Sequence, residues 1–155
     1  MPVFFFIALI LIIWIRYEGN RHAQSQEMSS EEFWRREREA SFTRKADISG
    51  LPYVKVPDSL FDGLPVLKEP RYNESLERLK ALAGTEMLNL TGITNTELKS
   101  RYGVGNFTFL SECNERYDEF YVAVKSIITV LKESGYEAEA LDLQSFLADV
   151  DSVRA

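Results

Sequence analysis

Thr108–Ser134, TFLSECNERYDEFYVAVKSIITVLKES, is the stretch that decides the fold. Leu110, Cys113, Tyr117, Phe120, Val124, Ile127 and Leu131 recur at alternating steps of three and four, the spacing of one helix face. Tyr121 and Ile128 widen that stripe to a core-facing side. A stripe this regular predicts a long helix that carries the hydrophobic core. Cys113 lies inside it and reads as a small buried hydrophobe. Gly135 ends the helix. Residues 136–151 predict a second one, with Tyr136, Ala140, Leu143, Leu147 and Val150 on one face. A one-residue break between two apolar-faced helices predicts an antiparallel hairpin.

Upstream, the signals are shorter. Residues 94–102 (TNTELKSRY) predict a helix capped by Thr94 or Asn95 and stopped by Gly103. Gly103-Val104-Gly105 lacks the strand, the third glycine and the lysine of a phosphate loop, so it reads as a flexible turn. Residues 72–83 predict a helix with Tyr72, Leu76, Leu79 and Ala83 on one face and Gly84 just past its end. Pro52, Pro57, Pro65 and Pro70 forbid a long helix across 48–70. Leu51–Pro57 (LPYVKVP) alternates like a strand, but its two prolines make it an edge or a polyproline-like strap. The proline spacing does not fit a PxxP docking motif.

Residues 30–45 (SEEFWRREREASFTRK) predict a helix opened by a capping box of Ser29 and Glu32 and laced by Glu–Arg pairs one turn apart. Two readings stay open. One is a solvated, salt-bridged helix whose Phe33 and Trp34 dock onto the body. The other is an interfacial helix on anionic headgroups, with Trp34 as an anchor.

Met1–Ile15 (MPVFFFIALILIIWI) holds no charged residue. Fifteen helical residues span roughly 22 Å, and counting to Gly19 brings the span to roughly 28 Å, near the thickness of a bilayer core. Trp14 and Tyr17 suit an aromatic belt, and Arg16 can snorkel. A cleaved signal peptide would want a basic start and a small-x-small site, which are missing. A buried core helix seldom opens a chain with such continuous bulk. The favoured reading is a single anchor over 1–19. Arg16, Arg21, Arg35, Arg36, Arg38, Arg44 and Lys45 follow it, so the positive-inside rule puts the body in the cytoplasm. A lone thiol fits that reducing compartment. The sequons at Asn73, Asn89 and Asn106 argue the other way, but Asn, Ser and Thr are also wanted at caps and turns.

The chain therefore divides into an anchor (1–19), a juxtamembrane linker with a charged helix (20–47), and a helical domain with a Pro-rich strap (48–155). Composition narrows the function. In 155 residues a net charge of −6 argues against a nucleic-acid binder driven by bulk positive charge. One Cys and one His (His22) exclude an internal disulfide framework and multi-His metal sites. No cofactor motif is present.

Gly135-Tyr-Glu-Ala-Glu-Ala-Leu141 and its hairpin resemble half of a tetratricopeptide-type repeat, where a Gly-x-Tyr-x-x-Ala turn joins two helices. That implies an α-solenoid-like scaffold over 115–151. Over a wider span the chain is similar to small single-pass membrane proteins of clostridial bacteria. The similarity rests on Phe33-Trp34-Arg-Arg-Glu37, Thr43-Arg-Lys45, Leu51–Pro57, Asn89–Lys99, Tyr102-Gly103 and Gly135–Ala140. It implies an anchor plus a helical body, with no chemistry attached.

The expected fold is mainly α, a transmembrane helix followed by a small tetratricopeptide-like helical domain. The expected function is that of a membrane-anchored interaction or scaffold protein with no catalytic activity. The bilayer is met through Trp14, Arg16, Tyr17 and Trp34. A protein partner is met through Phe146 and Val150, because no capping helix follows Val153 and Ala155. Tyr117, Tyr121 and Tyr136 suit protein contacts. Two alternatives remain: an accessory subunit of a larger membrane complex, and an enzyme using the carboxylates Glu112, Glu115, Asp118 and Glu119.

Overall fold

The computed structural model describes residues 29–154, in which six helices and no strand are present. The expected anchor over 1–19, with Trp14, Arg16 and Tyr17, lies outside the described residues, as does the linker to residue 28. Among the described residues no helix is long and apolar enough to cross a membrane. The chain divides into two units, one reaching to Glu39 and one running from Ala40.

The described part of the first unit is helical: α1 (Ser30–Ser41), whose last two residues belong to the second unit, opens on a cap. The Glu32 N–H donates to Ser29 Oγ at 3.2 Å. Arg36 pairs with Glu32, and Arg35 pairs forward with Glu39 at 2.9 Å rather than back with Glu31. Phe33 and Trp34 meet edge to face, their rings 5.3 Å apart, and both are exposed. The helix stops four residues short of the expected end. The reason is downstream: Arg44–Ala46 is laid along the chain at Gly103, where the Ala46 N–H donates to the Tyr102 carbonyl at 3.0 Å.

The second unit is built around α5 (Val104–Glu133), which runs for 30 residues. All seven stripe positions, from Leu110 to Leu131, are at most 2% exposed. Burying each such side chain is worth about 1.5–3 kcal/mol. Three helices cover α5: α3 (Pro70–Leu82), α4 (Asn95–Tyr102) and α6 (Glu137–Ser152). A four-residue α2 (Ser59–Asp62), unsignalled in the sequence, interrupts the Pro-rich connection. Its Leu60 and Phe61 pack on the main core.

The expected hairpin of α5 and α6 forms. Its turn is Ser134-Gly135-Tyr136, with Gly135 at φ +83°. The hairpin is unequal: α6 has 16 residues against the 30 of α5. The excess of α5 is covered by α4 and by Leu88 and Leu90, inside the same chain.

Other expectations shift in register. On α3 the buried set is Tyr72, Ser75, Leu79 and Leu82; the expected Leu76 is half-buried and packs against the same core, and Ala83 falls at the cap rather than on the helix face. Ser75 sits inward with its hydroxyl satisfied twice: it donates to the Arg71 carbonyl one turn back at 2.8 Å and accepts from the Ser126 hydroxyl at 2.9 Å. Pro70 starts α3 two residues early, a position that suits its missing N–H. The expected turn at 103–105 holds for Gly103 alone, with φ +82°. Val104 and Gly105 belong to α5. A Cβ on Gly103 would stand 2.3 Å from the Arg44 carbonyl oxygen, so glycine there admits the crossing chain.

Candidate functional site

The two expected partner-contact residues, Phe146 and Val150, line one groove. The helix that carries them is fixed along its length. At its start the Tyr136 N–H donates to the Leu131 carbonyl at 2.9 Å. Along its middle Ala140, Leu143 and Leu147 are buried. At its end Tyr117 donates to Asp151 Oδ1 at 3.0 Å, and Asn89 Nδ2 donates to the same oxygen at 3.3 Å. Phe146 and Val150 flank the buried ridge and are half-buried. The Phe146 ring stands edge-on to Phe120 at 6.2 Å, so one edge is spent on the core.

The facing wall is the strap. Val54 and Met87 form a single antiparallel bridge, with N–H to carbonyl distances of 2.8 and 3.3 Å. No ladder extends from it, as Pro52 and Pro57 dictate. The groove is a shallow, open depression of about 330 Å³ between Pro52, Tyr53, Val54 and Lys55 on this wall and Phe146, Asp149, Val150 and Val153 on the helix wall. Val153 is 43% exposed.

Its electrostatics are sparse and specific. The helix wall belongs to an element with Glu137, Glu139, Asp142, Asp149 and Asp151 and no basic residue. Asp151 is taken up by Tyr117 and Asn89. Asp149 and Lys55 remain on opposite walls, and among the described residues neither side chain has an ion-pair or hydrogen-bond partner. Burial, then the hydrogen bond to Asp151 and that carboxylate's charge, push the Tyr117 hydroxyl far above its usual range.

A larger, shallow hollow of about 660 Å³ lies beside Lys45, Asp47, Tyr53, Glu86 and Phe109. The Ser49 N–H, donating to Asp47 Oδ1 at 3.0 Å, holds that carboxyl below its usual value. No two titratable groups there are joined by a hydrogen bond. The four carboxylates weighed for catalysis, Glu112, Glu115, Asp118 and Glu119, lie along α5 outside its buried face. Glu112 pairs with Arg116 at 3.3 Å, and Asp118 accepts from Asn114 Nδ2 at 3.1 Å. Among the described residues no group of His, Cys, Asp and Glu is placed to share a metal ion. Burial raises the Cys113 thiol above its usual range.

Two sequon asparagines have structural tasks instead. Asn89 and Asn106 are each 1% exposed. Asn106 Nδ2 donates to the Ala46 and Tyr102 carbonyls at 2.8 and 2.7 Å. Asn89 Oδ1 accepts the Thr91 N–H at 3.0 Å, an Asx turn. A glycan on either is incompatible with this fold, whereas Asn73 is exposed on α3. The sequence reading missed Lys55, Asp149 and the strap as partners of Phe146 and Val150. Only the Pro-bracketed alternation of 51–57 hinted at a wall. Comparison with protein-family models, with curated proteins and with solved structures finds no match to this chain.

Proposed function

We propose that this chain is a membrane-tethered interaction module, held at the cell membrane by residues 1–19 with its helical body on the cytoplasmic side. Trp14, Arg16, Tyr17 and the exposed Trp34 meet the bilayer interface in this reading. The body acts as a scaffold and presents the groove of Phe146 and Val150 to a protein partner. The observation that carries the reading is that groove: a shallow, mainly apolar depression between a strap and a helix, with the half-buried Phe146 set against Phe120 of the core behind it. Rigid, half-buried aromatics bring contact area at low entropic cost, which is why they anchor interfaces.

The test uses the full chain in native membranes, with a photocrosslinking residue at Val153 in the groove or at Lys80 on α3. A protein adduct from Val153 and none from Lys80 is expected. Phe146→Glu should abolish the Val153 adduct. Equal adducts from both positions, or none from Val153, would overturn the reading. A reporter fused after Ala155 should score cytoplasmic, and an extracytoplasmic signal would overturn the orientation.

A further inference from the structure

We infer that the segment from Ala46 to Tyr53 is a latched lid, released at its Ala46 end and hinged at Val54, and that opening it uncovers the part of α5 that carries Leu110 and Cys113. The ground is where the segment's hydrogen bonds go. Those of Asp47–Tyr53 close within the segment. The Ser49 N–H donates to Asp47 Oδ1 at 3.0 Å, and the Leu51 N–H donates to the Ile48 carbonyl at 3.2 Å. The Tyr53 hydroxyl donates to that same carbonyl at 3.1 Å, and the Tyr53 N–H to the Leu51 carbonyl at 2.8 Å. The segment therefore holds its own shape and is tied to the body by hydrogen bonds at its two ends.

The two ends differ. At Val54 both backbone bonds are exchanged with Met87, and both residues are buried in the main core. That end is the hinge. At Ala46 the N–H donates to the Tyr102 carbonyl, and the carbonyl accepts from Asn106 Nδ2 at 2.8 Å. Just before it, Arg44 and Lys45 lie against Gly103 and Gly105, which offer no side chain to grip them. That end is the latch, and it is the end nearer α1 in the chain. Between the ends Ile48, Leu51 and Tyr53, each half-buried, pack on a cluster that holds Leu110 and Cys113 and is separate from the main core. Opening the lid gives up these three half-buried contacts and the two bonds at the latch. Global unfolding gives up the main core as well, so opening alone is the smaller excursion. Cys113, 0% exposed while the lid is shut, then meets solvent with α3, α6 and the second half of α5 still packed. This face of α5 is therefore a conditional surface, governed by the latch.

The test is alkylation of Cys113, the single thiol of the chain, by N-ethylmaleimide in the folded full chain in detergent. Where opening and closing are fast, the labelling rate follows the open population. N106L removes the donor at the latch and should speed labelling about tenfold. I48A thins the lid without touching the latch and should speed it about fivefold; it carries the test if N106L disturbs folding. L143A, in the main core on α6, should lower the urea midpoint of unfolding and leave labelling without urea unchanged, because the lid does not rest on that side chain. The inference is overturned if neither N106L nor I48A changes the rate, since another segment would then shield the thiol. It is equally overturned if L143A speeds labelling in step with its loss of global stability. A wild-type thiol that reacts only within the urea transition overturns it too, since the lid would then open only with the whole fold.

Discussion

From Tyr117 to Leu131, α5 is walled chiefly by α3 and α6, with Val54, Val56 and Met87 of the strap region in the same cluster, and what it buries is nearly all aliphatic or aromatic. From Val104 to Asn114 it is walled by α4 and by the segments 46–53 and 87–93 instead. There it buries Leu110 and Cys113 beside Asn89 and Asn106, and Asn114 Oδ1 accepts the Leu90 N–H at 3.0 Å. One half meets chiefly helices, whose backbone groups are already paired, and the strap that reaches it pairs its own at the Val54–Met87 bridge. The other meets irregular chain, whose N–H and C=O groups must be answered by side chains. The same helix therefore needs hydrocarbons at one end and amides at the other.

Breaking the helix-walled half should cost most. Ile127→Lys places an ammonium at a position 0% exposed, in the middle of the apolar face. The expected loss is several kcal/mol, comparable to the whole stability of a domain this size. Urea unfolding of the full chain in detergent, followed by circular dichroism, measures it. Glu119→Gln, on the solvent side of the same helix, should change stability by less than about 0.5 kcal/mol. Equal midpoints for the two variants would mean the face is assigned wrongly.

In the loop-walled half the sharpest point is Gly103. Its φ of +82° strains any L side chain, and a Cβ there would strike the Arg44 carbonyl. Gly103→Ala should cost about 3 kcal/mol, from strain of about 1–3 kcal/mol plus the displaced backbone. Gly92 separates the two effects. Its φ is +90°, yet a Cβ there meets nothing within 4 Å, so Gly92→Ala carries strain alone. If the two variants melt together, the close approach of 44–46 to Gly103 is not a constraint on the fold.

Asn106→Leu keeps the volume of the buried side chain and removes its two N–H donors. The Tyr102 carbonyl still accepts the Ala46 N–H, but the Ala46 carbonyl loses the Asn106 donor. A loss of about 1–3 kcal/mol is expected. Hydrogen exchange should show it first at the Ala46 amide rather than in the second half of α5. Uniform loosening of both halves would remove the distinction drawn between them.

The two halves also differ in how far the sequence reveals them. Leu110 through Leu131 is legible because a helix repeats its environment every turn, so burial appears as a period. The same holds for Ala140, Leu143 and Leu147 on α6. Ser75 defeats the period on α3: its hydroxyl is satisfied by the Arg71 carbonyl one turn back and by Ser126 across the packing, and the second partner leaves no local signal. Asn89 and Asn106 look like glycosylation acceptors or turn residues, and their partners lie across the fold, at Asp151 and Ala46. The helix break at Ser41 has the same origin, since only the crossing near Gly103 explains it. Phe146 and Val150 are legible as the loose edge of an apolar stripe. Their facing wall is not, because a single Val54–Met87 bridge leaves no pattern longer than one residue.

Tyr117 belongs to both regimes and carries the smallest effect. Its ring packs in the apolar half, 6.1 Å from Phe120, while its hydroxyl donates to Asp151 and accepts from Asn89 Nδ2 at 3.2 Å. Tyr117→Phe keeps the ring and deletes the hydroxyl, at an expected cost of about 1 kcal/mol near neutral pH. The pH dependence gives the sharper test. Burial, reinforced by the Asp151 hydrogen bond and charge, raises the folded-state pKa above the ordinary value of 10.0. The fold thus favours the neutral phenol. That contribution is complete below pH 10.0 and is lost as pH rises from there toward the folded-state value. Wild-type stability should fall across this alkaline window. The variant should fall less steeply, because its side chain at position 117 does not titrate while Tyr53 and Tyr72, also raised by burial, still do. Parallel alkaline slopes for the two proteins, with tyrosinate absorbance appearing before unfolding, would show that the Tyr117 hydroxyl is not held by this network.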